Sequence, residues 1–114
     1  MSDCLFCKIA AGAIPADIVH ADDEFVAFRD IAPRAPVHIL VIPRRHITSP
    51  GDLADGDAAL AGRLLVTAAR VARESGLDVS GYRWVLNCGP DGGQTVPHLH
   101  LHLLGGRALA WPPG

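Results

Sequence analysis

The 114-residue chain has no apolar run near the 18 or more residues of a membrane span, and its first residues lack a basic stretch followed by a hydrophobic one. Neither a spanning helix nor a secretory leader is expected, so the expected compartment is the cytoplasm. Charge is scarce: 19% of residues are charged against 49% hydrophobic, a balance that excludes a disordered chain. Arg34, Arg44 and Arg45 form the only local basic cluster, and the formal net charge is -2. A long nucleic-acid surface needs a broad positive footprint, so no such partner is expected; a compact pocket for one nucleotide or small phosphate ester remains compatible. Internal repeats and linkers are absent, and the length suits one domain spanning residues 1–114.

Cysteine is rare as well, and its three copies form an odd set. Cys4 and Cys7 stand in a CxxC, which in a reducing compartment reads as half of a metal site or as a redox pair. Cys88 reads as a small buried residue.

Short apolar stretches predict one short helix within 5–12 and strands at 16–20, 25–29 and 38–42, with an acidic turn at 21–24. Prolines at 33 and 36 make 30–36 a loop. Leu53, Leu60, Leu64 and Val71 fall near helical spacing and predict the main helix over 53–75, stopped by Gly76. Tyr82 to Asn87 and Pro97 to Leu103 are expected as neighbouring strands joined by the glycine-rich segment Gly89 to Gly93. The expected class is α+β: one long helix and a short N-terminal one on a mostly antiparallel sheet of about five strands.

In the last of these strands His98, His100 and His102 alternate with Leu99 and Leu101. Alternate side chains of a strand share one face about 6.6–7 Å apart, so three imidazoles line one side and the leucines turn to a core. Core packing has no need of three titratable rings in line; a phosphate-transferring or metal-binding surface does. A neutral imidazole is a nucleophile near pH 7, provided its other nitrogen has a fixed partner. The preceding glycine-rich loop is either an anion cradle or a plain hairpin turn.

The run His98-Leu99-His100-Leu101-His102-Leu103-Leu104 resembles the histidine-triad (HIT) pattern. Phe28 to Pro33, His38 to Pro43, Arg44-Arg45-His46, Asn87, Gly92 to Thr95 and Trp111 to Gly114 extend the likeness to the nucleotide-binding branch of that superfamily. The resemblance implies a HIT-like fold, a two-fold homodimer, and hydrolysis of purine nucleoside 5'-phosphoramidates of the adenosine 5'-monophosphoramidate type. The reaction would pass through a nucleotidyl-histidine on His100, with the backbone carbonyl near His98 fixing its tautomer, His102 bonding the phosphate and helping to protonate the leaving amine, and His38 a fourth polar group beside His98, His100 and His102. It further implies Phe6, Phe28, Ile31 and Leu40 as the base slot and Asp30 on the ribose hydroxyls. Asn87, Gly93, Gln94 and Thr95, with His100 and His102, would meet the phosphate, and Trp111 a partner's phosphate site. Cys4, Cys7, His46 and His98 would hold a structural zinc, as in the bacterial type; the best-known animal members lack the second cysteine. Arg29 stands where those members have histidine. Two other readings are a dinucleoside polyphosphate hydrolase and a nucleotide-binding scaffold with little turnover.

Overall fold

Four hydrophobic residues in succession, Phe25 to Phe28, are all buried, which requires a strand covered on both faces. The computed structural model describes residues 3–114 and places that strand inside a five-stranded antiparallel sheet. The strands are β1 (Ile18–Ala21), β2 (Phe25–Arg29), β3 (Val37–Pro43), β4 (Tyr82–Val85) and β5 (Leu101–Gly105), in the spatial order β1-β2-β3-β5-β4. A short helix α1 (Leu5–Ala10) precedes them, and the long helix α2 (Ala58–Glu74) lies between β3 and β4.

Period-two alternation builds a core on each side. Phe25 and Ala27 of β2, Ile39 and Val41 of β3, and Leu99, Leu101 and Leu103 face α2. Val26, Phe28, Leu40 and Ile42 face the other way, where Phe6 of α1 joins them. Removing a leucine of this inner row from water is worth about 1.5–3 kcal/mol. Helix α2 answers with Leu60, Leu64, Ala68, Val71 and Ala72, spaced along one face. It ends as expected: Gly76, at φ +75°, donates to the Arg73 carbonyl while Leu77 donates to that of Ala72, a left-handed cap that satisfies two carbonyls.

The helix begins at residue 58, five residues later than its periodicity predicts. Residues 50–52 and 55–57 form separate 3-10 turns, because Pro50, Gly51 and Gly56 are poor helix formers and the Asp57 carboxylate accepts from the Ala54 amide. The larger correction concerns the histidines. The strand expected over 97–103 starts only at Leu101, so His98 and His100 precede it. Ladder pairing with β3 stops at Val41 opposite Leu101; beyond it the Leu99 amide donates to the Ile47 carbonyl, and His98 bends back to donate to Val96. The alternation survives without the strand: Leu99 remains wholly buried in the α2-side core and His98 and His100 are buried on the opposite side.

Candidate active site

Backbone groups set the tautomers of His100 and His38. The Nδ1 of His100 lies 2.7 Å from the carbonyl oxygen of His98. A carbonyl only accepts, so Nδ1 carries the proton and Nε2 keeps its lone pair. His38, on β3, is held the opposite way: the Arg34 amide donates to its Nδ1 at 3.0 Å, which leaves the proton on Nε2. That Nε2 is 2.9 Å from Nδ1 of His102, on β5 beside it, so His102 accepts at Nδ1 and carries its own proton on Nε2. Register explains the contact, since Leu40 pairs with His102 and His38 with Leu104 on one face of the sheet. Burial is the largest cause lowering the pKa of His38, with Arg34 adding and Asp30 opposing. For His102, burial and the neighbouring His100 and His38 bring it to about 4. His102 is therefore a neutral N–H donor at pH 7, not an imidazolium.

His100 and His102 border a cavity of about 300 Å³. Its walls are Leu5, Phe6, Ile9, Phe28, Leu40 and Val96, with Ile14, Pro15 and Ala16 closing one side; Asp30, Thr95, His100 and His102 supply polar groups. Phe6 meets the ring of His100 edge-on, 5.1 Å between centroids, and that of Phe28 at 5.5 Å. Asp30 uses Oδ1 to accept the Ala32 amide, and its Oδ2 stands 3.5 Å from His38 Nε2. The size and mix of apolar wall with few polar groups suit a nucleotide.

A second cluster lies behind the first. Cys4, Cys7, His46 and His98 bring one ligand atom each to within 4.8 Å of the others. The two Nδ1 atoms are 3.2 Å apart, and the sulfur–nitrogen separations from Cys4 to His98 and from Cys7 to His46 and His98 are 3.4, 3.3 and 3.5 Å. On a tetrahedral ion with zinc-like bond lengths, the corresponding edges are about 3.4 Å and 3.6 Å. The Nε2 of His98 donates to the Pro43 carbonyl at 2.8 Å, which bares Nδ1 toward the cluster, and burial favours the neutral ring. Donor set and tautomer both fit a metal. Asp30, His38 and His102 are also close enough to suggest one, but the Arg34 amide keeps His38 Nε2 protonated and so unable to ligate. That second group is a hydrogen-bonded chain.

Comparison with known proteins places this constellation. The HIT domain matches residues 11–109. The chain belongs to the HIT family. A HIT-like protein of Synechococcus elongatus is 57% identical over 98% of this chain and 97% of its own length. A 14 kDa zinc-binding protein of Brassica juncea is 48% identical, covering 98% of this chain and all 100% of its own. Among solved structures, a HIT family hydrolase from Legionella pneumophila superposes with TM-score 0.97 at 52% identity, over 98% of this chain and 100% of that one. With its histidine triad intact, this HIT protein is an enzyme of the hydrolase type.

The structure gathers His100, His102, Phe6, Phe28, Asp30, Leu40 and Thr95 at one cavity, with His38 behind them against His102 and Asp30; Ile31 borders it with its side chain wholly exposed. Other expected contacts stand elsewhere. Gln94 spends its amide inside the loop, accepting from Gly89 and donating to Thr48 and Val96 carbonyls. Asn87 donates to the Gly92 carbonyl at 2.6 Å, outside the cavity lining, and Gly93 closes the same loop by donating to Pro90. Trp111 is 80% exposed and lies against Arg83, away from its own chain's cavity. Cys88 is exposed beside Ser49, not buried. Unforeseen were Leu5, Ile9, Val96 and the walls at 14–16, with two backbone groups, the Arg34 amide and the Pro43 carbonyl; the His98 carbonyl stands on the His100 ring as expected. The aliphatic character of Ile14 was the one available signal for the walls; backbone groups leave none.

Proposed function

We propose that this protein is a nucleotide-binding HIT enzyme that hydrolyses purine nucleoside 5'-phosphoramidates. The observation that carries the reading is the bare Nε2 of His100, created by the His98 carbonyl, at a nucleotide-sized cavity that also holds Asp30. In the first step Nε2 attacks phosphorus and the P–N bond breaks, the amine leaving with the proton already on its nitrogen in the zwitterionic substrate. His100 becomes a phospho-imidazolium whose Nδ1–H stays on the carbonyl. His102 donates Nε2–H to the phosphate oxygens as charge gathers there. Water then attacks phosphorus, the P–Nε2 bond returns its electron pair to His100, and the freed amine takes the proton.

The purine would lie between Phe6, Phe28, Ile31 and Leu40, and Asp30 would accept from the ribose hydroxyls. Thr95 and the 87–94 loop would border the phosphate, Asn87, Gly93 and Gln94 acting by shaping that loop. Cys4, Cys7, His46 and His98 would hold zinc in the manner of the bacterial branch; with four protein ligands the ion supplies structure, tying α1 to the sheet. The zinc-binding Brassica relative and the nucleotide-binding Candida albicans relative, 29% identical with TM-score 0.81 over 96% of this chain and 83% of that one, support these assignments. We further propose a single domain over residues 1–114 working as a cytoplasmic two-fold dimer without nucleic acid. The edge strand β4 with the exposed Tyr82 and the following Leu86, and the exposed Leu65 and Val66 of α2, support the pairing. Among the described residues no helix is long and apolar enough to cross a membrane.

The test is His100→Ala against wild type with adenosine 5'-monophosphoramidate, quenched without acid and read by intact-protein mass spectrometry. Wild type should show a nucleotidyl adduct and the variant none, with turnover lower by about 10²-fold or more. Turnover within ten-fold of wild type refutes the assignment.

A further inference from the structure

We infer that Arg107 is a positioning residue for the His38–His102 pair, holding the 33–36 loop so that the Arg34 amide fixes the proton of His38 on Nε2. Arg107 lies beyond β5, remote from the cavity lining, and its guanidinium reaches back across 73 residues of chain to donate to the Arg34 carbonyl at 2.9 Å. The same arginine donates to the Ala108 carbonyl at 3.0 Å, which fixes the fork. From Arg34 the sequence of bonds is continuous: Arg34 amide to His38 Nδ1 at 3.0 Å, then His38 Nε2 to His102 Nδ1 at 2.9 Å.

The loop needs such a support. Pro33 and Pro36 have no amide hydrogen, and residues 31–34 are exposed. A chain segment poor in backbone hydrogen bonds and burial opens at low cost. Packing brings the support to it: Gly106, at φ +90°, approaches Pro36 so closely that an added Cβ would stand 2.9 Å from the proline Cβ. Arg107 follows at once and reaches over Pro36 to Arg34.

Among the described residues nothing else near His38 sets its tautomer as firmly. The Asp30 carboxylate also favours a proton on Nε2, but at 3.5 Å it is outside good hydrogen-bond length. If the loop shifts and the amide leaves Nδ1, His38 can carry its proton there instead. His102 then loses its donor at Nδ1, can take the opposite tautomer, and presents a lone pair to the phosphate where a donor is needed.

The inference rests on the reading of His102 as the donor to phosphate, and the test separates the two. Wild type, Arg107→Ala and Arg107→Lys, each as full-length ¹⁵N-labelled chain, are compared at pH 7 by long-range ¹H–¹⁵N spectra of the histidine rings and by kcat and KM for adenosine 5'-monophosphoramidate. In wild type, His38 and His102 should both show Nε2–H. In Arg107→Ala the ratio of Nδ1–H to Nε2–H in His38 should rise about three- to ten-fold, the net contribution of one typical intramolecular hydrogen bond. The kcat should fall in proportion to the fraction of His38 that loses Nε2–H, with KM within two-fold, and lysine, with one donor in reach, should restore part of both. An unchanged tautomer ratio overturns the inference; a lost Nε2–H fraction with unaltered kcat upholds it and instead removes His102 as the donor to phosphate. Absence of turnover in wild type defeats the proposed reaction alone; the tautomer ratio still decides the case of Arg107.

Discussion

His102→Gln should flatten the dependence of stability on pH between 7 and 5. The pKa of His102 falls from its ordinary 6.5 to about 4 in the folded chain, burial being the main cause. In that interval the unfolded chain binds a proton at this position and the folded chain does not, so stability falls as pH falls. Linkage puts the loss due to His102 at about 2 kcal/mol from pH 7 to pH 5, rising to at most about 3 kcal/mol below pH 4. Glutamine suits the exchange, since its oxygen can accept from His38 and its amide can still donate, but it does not titrate. Urea unfolding at pH 5, 6 and 7 would give the comparison, with a constant m-value required at each pH. Wild type should lose about 2 kcal/mol more than the variant over that range. His98, also held below its ordinary value, lowers stability in both proteins and cancels in the difference. Equal losses in the two proteins would show that His102 is already charged or exposed in the folded state, and the donor role built on its neutrality would fall with it.

Cys7→Ser should reduce bound zinc, measured by atomic absorption, from about one ion per chain to near none and lower the melting temperature; undiminished metal content would remove Cys7 from the ligand set. Asp30→Asn should weaken adenosine monophosphate by about 1–2 kcal/mol in calorimetry while affecting the 2'-deoxy analogue much less, because a charged acceptor of two hydroxyls is lost. Equal weakening of both would mean that the carboxylate serves the loop through its bond to the Ala32 amide. Trp111→Ala should leave the sedimentation of the proposed dimer unchanged but alter relative turnover across a series of amine leaving groups; an unchanged series, or a monomeric wild type at micromolar concentration, would separate the tail from the site.

What could be read in the sequence is what side-chain character decides. Phe25 to Arg29 is found as a strand at its expected bounds because hydrophobic content and β-propensity agree there, and Leu99, Leu101 and Leu103 reach the core as alternation requires. The CxxC found two histidines from distant parts of the chain. Errors arose where backbone bonding overrides pattern. His98 and His100 keep the facing of a strand without its ladder, since the chain leaves β3 to bond at Ile47. Gln94 has the chemistry of a phosphate ligand, yet the loop consumes its hydrogen-bonding capacity, a demand invisible until Thr48 and Val96 are in place.

The same limit explains how one side chain repeated at a spacing of two acquires different roles. His98, His100 and His102 are chemically identical, and an isolated strand would give them equal standing. The fold instead supplies each with a different partner. A carbonyl acceptor on Nε2 turns the Nδ1 of His98 toward two sulfurs; a carbonyl acceptor on Nδ1 leaves His100 a bare Nε2; a donor on Nδ1 makes His102 an N–H donor at Nε2. Opposite tautomers on adjacent rings are what nucleophilic displacement at phosphorus requires, a lone pair for the phosphorus beside a proton for its oxygens. The His98 residue joins the two centres, because its ring belongs to the metal cluster and its carbonyl to the nucleophile. Rotation of the peptide at 98 would free His100 to exchange tautomers, so the cysteine cluster that anchors the ring also restrains the group on which the nucleophile depends.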